Sequence, residues 1–270
     1  MKDYSSIAIL GAGNIGTAIA SGLVKSNRFA LDEVILTRRR LKLLDDYKKQ
    51  GFQVTDDNKK ALEKSDIILI SVEPQQLDAL LESIAPHLDP ERHMVISVVS
   101  GVMIKQFTKI IGEEIPVVRA MPNTAIAIRE SMTCICSDEE NGEAIEVTQS
   151  IFETVGETTV ILEEQMTAAT ALCACGIAFF LRSIRAASQG GTEIGFHAPE
   201  ALFMAAQTAK GAASLLLNMG KHPEFEIDRV TTPRGCTISG LNQMEHHGFS
   251  SAMIKGILLS AEKAAKLYDK

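Results

Sequence analysis

The stretch Ile7-Ala8-Ile9-Leu10-Gly11-Ala12-Gly13-Asn14-Ile15-Gly16 constrains this chain more than any other. Its apolar start reads as a buried parallel strand that ends at Gly11. A helical pattern begins at Asn14, with Ile15, Ile19 and Leu23 on one face. In such a turn Gly11 permits the bend, Gly13 lets the backbone approach a pyrophosphate, and Gly16 lets helix and strand pack closely. The free N–H groups and dipole at the helix start favour phosphate charge. A strand before the glycines and a helix after them is the context in which this pattern binds a dinucleotide. Gly11, Ala12, Gly13, Asn14, Ile15 and Gly16 are therefore expected to hold the cofactor. A glycine turn without a ligand would account for Gly11, but not for the strand–helix alternation that follows.

The second strand reads as Val34-Ile35-Leu36. An acidic residue at the end of this strand normally accepts from the ribose hydroxyls of NAD. Here Asp32 and Glu33 lie before the strand, and Thr37 holds the acidic place, followed by Arg38, Arg39 and Arg40. Guanidinium groups there can pair with a 2′-phosphate. NADPH is therefore the expected cofactor, with NADH also accepted; a solvated basic helix start is the plainer reading of the same arginines. Further strands are expected at 53–54, 67–72, 95–99, 116–120, 132–136 and 158–162, with helices opening near Asn58 and Pro74. Ligands of open parallel sheets bind beyond the carboxyl ends of the strands. That rule adds Asn58, Val72, Glu73, Pro74, Val99, Ser100 and Asn123 as cofactor-side candidates.

The character changes near Glu163, after which almost everything reads as helix: 166–188, 198–219, 237–246 and 250–268. The expected organisation is an α/β Rossmann domain over 1–162 and an all-α domain over 163–270, which 270 residues accommodate. The later helices are rich in Ala, Leu, Ile and Met, several of them apolar around most of their circumference. Helices of that kind are normally buried, so a homodimer or higher homo-oligomer is expected to form through them. The net charge of -7, without a basic stripe, argues against a nucleic-acid or anionic-membrane partner. No stretch reads as a signal peptide or membrane span.

Five cysteines, an odd number, make no disulfide framework, and reduced thiols in a cytoplasm are the simplest reading. Cys134 and Cys136 on a strand, and Cys173 and Cys175 at a helix start, read as small buried hydrophobes. They lack zinc-ligand spacing, so no metal site is expected. There is no G-x-S-x-G elbow.

A second informative stretch is Thr231-Thr232-Pro233-Arg234-Gly235, a tight turn from which a helix opens at about Cys236. Its first N–H groups form an anion site suited to a small carboxylate. The stretch from Val230 to Glu245 resembles the pattern V-T-S-P-G-G-T-T-x-x-G-L-x-x-L-E of pyrroline-5-carboxylate reductases. Gly11 to Gly16, Met121-Pro122-Asn123-Thr124 and Gln207 to Ala213 match further blocks of that family in order. The resemblance implies an NAD(P)-binding Rossmann domain and a helical dimerisation domain. It also implies reduction of a cyclic imine, 1-pyrroline-5-carboxylate, to proline as the last step of proline biosynthesis. It places substrate at Thr232, Gly235, Cys236 and Thr237, with backbone N–H groups of the last three on the carboxylate. The Thr237 hydroxyl would serve the ring nitrogen as the catalytic group. In the family, the helical domain of one subunit lies against the Rossmann domain of another.

The chain departs from the family at Cys173 to Ile177 (family S-G-S-G-P), Arg234 (Gly), Glu73 (Lys) and Ala125 (Pro). Two alternatives stand beside this reading. A β-hydroxyacid dehydrogenase shares the plan but needs a Lys on the first long helix, where 166–188 offers only Arg182 and Arg185. Arg is a poor proton donor at neutral pH. A dinucleotide-binding regulator without turnover is the other.

Overall fold

The computed structural model describes residues 4–138 and 142–268. The chain divides into two units, Met1–Cys175 with Ser260–Lys270, and Gly176–Leu259.

In the first unit, eight strands form one sheet: β1 (Ile7–Leu10), β2 (Val34–Thr37), β3 (Gln53–Thr55), β4 (Ile67–Ile70), β5 (Met94–Ser97), β6 (Val117–Met121), β7 (Ser131–Ser137) and β8 (Gly156–Val160). Their order is β3-β2-β1-β4-β5-β6-β7-β8. The first six are parallel, in the doubly wound Rossmann order. β7 runs antiparallel to β6, and β8 is parallel to β7. Chain length explains the reversal. Only 122–130 separate β6 from β7, too few for the crossover that parallel neighbours require.

The helices of this unit include α1 (Asn14–Lys25), α2 (Asp45–Gln50), α3 (Asn58–Glu63), α4 (Leu77–Ile84), α5 (Ile104–Ile111), α6 (Gly142–Phe152) and α7 (Met166–Ala169). Successive strand residues point to opposite faces, and the two faces feed separate cores. Ile7, Ile9, Leu69 and Ile96 pack with Ile19 and Leu23 of α1 and Ile151 of α6. Ala8, Leu10, Ile68 and Val95 pack with Leu81 of α4, Phe107 of α5 and Met166 of α7. A parallel sheet covered on both faces is the reason its strands read as unbroken apolar runs.

One buried ion pair ties this unit together. Arg119 Nη1 on β6 donates to Glu163 Oε1 at 3.0 Å. The same oxygen accepts the N–H of Ile104, the first residue of α5, at 2.7 Å. Asp66, ahead of β4, accepts from Arg92 Nε at 3.0 Å and Ser6 Oγ at 2.9 Å. Burial pushes its carboxyl up, but those hydrogen bonds, with that of the Ser5 N–H, outweigh burial and hold it below the usual carboxylate range.

The second unit is helical: α8 (Gly176–Glu193), α9 (Ala198–Met219), α10 (Pro223–Val230), α11 (Cys236–His246) and the first part of α12 (Phe249–Ala265). α10 was not expected from the sequence, although Pro223 at its first turn, Glu224 and Glu226 after it and Arg229 at its end are start and stop signals. Large apolar side chains stand exposed on this unit, among them Phe180, Phe203, Leu217 and Leu258. The helical stretch Glu163–Glu193 is also long and apolar enough, by length and composition alone, to cross a membrane. A subunit interface demands the same apolarity.

Candidate active site

The sheet order reverses between β1 and β4, which opens a crevice beyond their carboxyl ends. Gly11 turns there with φ +85°, a left-handed conformation that glycine adopts without steric penalty. A Cβ on Gly11 would collide with the Val72 side chain and stand 3.1 Å from the Val72 nitrogen. Val72 thus forms the opposite lip of the crevice. β4 stops at Ile70, short of the expected 72, because Ser71 turns inward. Its hydroxyl donates to the Gly11 carbonyl at 3.0 Å, and its N–H donates to Leu10 O at 2.9 Å. Ser71 also fills the space beside Gly16, whose Cβ would meet Ser71 Oγ at 2.6 Å. Sequence reasoning missed Ser71; its signal was a hydroxyl at the end of an apolar strand.

Gly13 differs from its neighbours. A Cβ there would meet only the Gly11 carbonyl, at 3.8 Å, so the loop has an open side. No side chain caps the start of α1, and its first turn carries no acidic residue. Ala12, Asn14 and Ile15 complete this turn, held by the Ala12 N–H on Thr37 O at 2.8 Å and the Thr17 hydroxyl on Gly13 O at 2.7 Å. An open glycine beside an uncapped helix start fits a pyrophosphate.

Beyond β2, buried Thr37 donates its hydroxyl to Asn58 Oδ1 at 2.7 Å. Asn58 opens α3 behind the Asp57 cap. Arg38 bends back, and its Nη1 donates to Ala12 O at 3.2 Å. Its guanidinium therefore flanks the glycine turn, while Arg39 is exposed. Glu73 is exposed and accepts from Gln76 Nε2 at 3.3 Å, with Pro74 starting the short helical turn after it. Val99 is buried, and Ser100 is half-buried beside the Met121 sulfur.

Asn123 caps the turn after β6 by accepting the Ala125 N–H at 3.0 Å. Its Nδ2 donates to the Cys173 carbonyl at 3.5 Å. The C-terminal end of the chain also reaches this edge of the first unit, another element not foreseen. Gln75 Nε2 donates to Leu267 O at 3.4 Å, and Tyr268 Oη donates to Asp78 Oδ1 at 2.6 Å. That bond to the carboxylate, aided by burial, pushes the Tyr268 phenol up to about 12.

In the second unit, the Gly235 N–H donates to Thr232 O at 2.9 Å, closing a turn over Pro233 and Arg234. Arg234 lies at φ +60°. Pro at the second place and a positive φ at the third is the type II pattern, which favours Gly at the third. The chain carries Arg there, at a cost of roughly 1 kcal/mol. α11 then opens at Cys236 without a side-chain cap. Gly235 spends its N–H on the turn, so the N–H groups facing outward are those of Cys236, Thr237 and Ile238. Cys236 is exposed, and Thr237 is half-buried with its hydroxyl unpartnered among the described residues.

Two of the four cysteines that read as small buried hydrophobes are less buried than expected. Cys134 and Cys136 are buried, Cys173 and Cys175 are half-buried, and Cys236 is exposed. No group of three or more His, Cys, Asp or Glu suited to a metal occurs among the described residues.

These features define a Rossmann-type dinucleotide-binding sheet followed by an apolar helical region. Residues 163–267 match the family described as pyrroline-5-carboxylate reductase dimerisation. Residues 6–101 match the NADP oxidoreductase family described as coenzyme F420-dependent. The chain is 50% identical to pyrroline-5-carboxylate reductase 2 of Dictyostelium discoideum, with 98% of this chain and 94% of that protein aligned. It is 53% identical to pyrroline-5-carboxylate reductase 1 of the same organism, of which it spans about half, 51%, while 99% of this chain is aligned. Its structure matches that of a Plasmodium falciparum pyrroline carboxylate reductase with NADP bound, at a TM-score of 0.90, 23% identity and full coverage of both chains. The chain belongs to the pyrroline-5-carboxylate reductase family.

Proposed function

We propose that this chain reduces 1-pyrroline-5-carboxylate to L-proline, using NADPH in preference to NADH, as the last step of proline biosynthesis. The observation that carries the reading is the uncapped start of α11 behind the Pro233–Gly235 turn, with the half-buried Thr237 hydroxyl beside it. Family membership supports it. A protonated imine is already electrophilic, so the protein needs neither a strong acid nor a metal. It needs to hold the reactants in near-attack geometry. When bound, the nicotinamide supplies the hydride. The N–H groups of Cys236 and Thr237 hold the substrate carboxylate, with Thr232 and Gly235 setting the turn. The Thr237 hydroxyl hydrogen-bonds the ring nitrogen. The turn of Gly11 to Gly16 and the cluster of Thr37, Arg38, Arg39 and Asn58 bind the phosphates and adenosine end of the cofactor. Val72, Glu73, Pro74, Val99, Ser100 and Asn123 line the rest.

Steady-state NADPH oxidation with a panel of cyclic imines and 2-hydroxy acids tests the reading. Thr237→Val keeps the shape and removes the hydroxyl. Turnover should fall tens-fold, the equivalent of about 2 kcal/mol, while NADPH affinity stays unchanged. Wild-type turnover in that variant would remove Thr237 from the mechanism. Replacing Arg38 and Arg39 together by Ala should weaken NADPH binding and leave NADH binding almost unaltered. Equal losses for both cofactors would mean that these arginines do not read a 2′-phosphate.

We further propose that residues 1–162 serve cofactor binding and 163–270 serve dimerisation and substrate. The exposed apolar side chains of the second unit are then covered in a homodimer or higher homo-oligomer in the cytoplasm, with no nucleic-acid or membrane partner. Light scattering at micromolar concentration should give at least twice the chain mass; a monomer with full activity would overturn this assignment.

A further inference from the structure

Cys134 lies on β7 with its side chain in the core between the sheet and α7. Cys173 lies in the π-helical segment Thr170–Cys175 that follows α7. The two Sγ atoms are 3.9 Å apart, although 39 residues separate them in the chain. Cys134 is 4% exposed, whereas Cys173 is half-buried. Closing such a gap to a covalent bond of about 2 Å takes side-chain rotation and a small backbone shift. The wide turns of a π-helical segment supply that slack, and such segments concentrate at functional sites. The Cys173 carbonyl also accepts from Asn123 Nδ2, so the segment is anchored at the end of β6. Where the sequence shows four small hydrophobes, the fold thus selects one pair in contact.

We propose that Cys134 and Cys173 form a reversible dithiol/disulfide site, oxidised by hydrogen peroxide or a related small peroxide. Cys173 is the attacking group, because it alone of the two reaches solvent. Either thiol can donate across this contact; with Cys134 as the donor, that bond holds Cys173 below the usual thiol range against the opposing effect of burial, and Cys134 is correspondingly raised. The Cys173 thiolate attacks one peroxide oxygen. The O–O bond breaks, hydroxide leaves and takes up the proton that Cys173 released, and a sulfenic acid forms. The Cys134 sulfur then attacks the Cys173 sulfur. Its proton leaves with the sulfenic oxygen as a second water, and the S–S bond closes. In total two thiols lose two electrons and two protons, and one peroxide becomes two waters. Cys136 is the poorer partner, since the sulfur in contact with Cys173 is that of Cys134.

The test is chemical and stands whether or not the reaction proposed above does. The full-length protein is treated with equimolar peroxide, quenched, and analysed by intact mass and peptide mapping. No Lys or Arg lies between Arg129 and Arg182, so trypsin leaves the four cysteines on one peptide and a glutamate-specific protease is used instead. The expected result is a mass lower by two hydrogens, a Cys134–Cys173 crosslink, and full reversal by a dithiol reductant. Cys134→Ala and Cys173→Ala should each abolish the crosslink. Should the Ala variant of Cys134 fail to fold, Cys134→Ser and wild-type mapping give the same reading. A bridge to Cys136 or Cys175, a bridge between chains, or oxidation that stops at a sulfinic acid on Cys173 overturns the proposal.

Discussion

Replacing Glu163 by glutamine is expected to lower unfolding stability by about 3–5 kcal/mol, because it strands a buried cation. The Arg119 side chain is only 5% exposed, and Glu163 carries its counter-charge. Arg119 Nε already lacks a hydrogen-bond partner among the described residues, so no other group stands ready to absorb the loss. The Ile104 N–H and Arg119 Nη1 meet the same carboxylate oxygen, so a glutamine amide oxygen can accept both and what is lost is the counter-charge. Thermal unfolding should shift down on the order of 10 °C. The mechanism has a second signature. If the cost is an unpaired buried charge rather than a lost contact, Arg119→Met combined with Glu163→Gln should recover a large part of the stability. Additive losses in the double variant would place the cost in packing or helix capping instead.

The Arg119–Glu163 pair also shows where sequence reading stopped. The strands were legible because most apolar runs are closed by Gly, Pro, Ser or Asn, although β4 and β5 stop at Ile70 and Ser97, two residues before the expected 72 and 99. The crevice beyond the strand ends was legible as well, since a Rossmann order dictates which strand ends meet. What spacing does not carry is partnership across the chain. Arg119 and Glu163 lie 44 residues apart, and Cys134 and Cys173 lie 39 apart. Neither pair leaves a periodic trace, and Cys counts as an apolar residue in any pattern. The direction of β7 was hidden too, because a buried strand reads alike in both directions; only the short link after β6 betrays it. The start of α11 was readable from Pro233 and Gly235, but that Gly235 spends its N–H within the turn was not.

The glycine turn separates folding from binding most cleanly. Gly13→Ala should leave stability within about 0.5 kcal/mol of wild type. Gly13 sits at φ -87°, which any L-residue adopts, and nothing but the Gly11 carbonyl lies near the new methyl group. The methyl would nevertheless stand where the proposed pyrophosphate must approach the backbone. NADPH affinity should therefore fall roughly ten- to a hundredfold, the equivalent of losing one hydrogen bond to a charged group, about 1.5–3 kcal/mol. Gly11→Ala should behave differently. Its φ of +85° costs an L-residue roughly 1–2 kcal/mol. In addition, its Cβ must displace Val72 and the Ser71–Val72 backbone. Stability and affinity should then fall together. The two variants are compared by calorimetric NADPH titration and thermal unfolding on the same preparations. A Gly13→Ala protein that binds NADPH like wild type would move the dinucleotide out of this crevice. One that loses stability as Gly11→Ala does would mean that the open side of Gly13 is closed by protein in solution, most directly by a second copy of the chain.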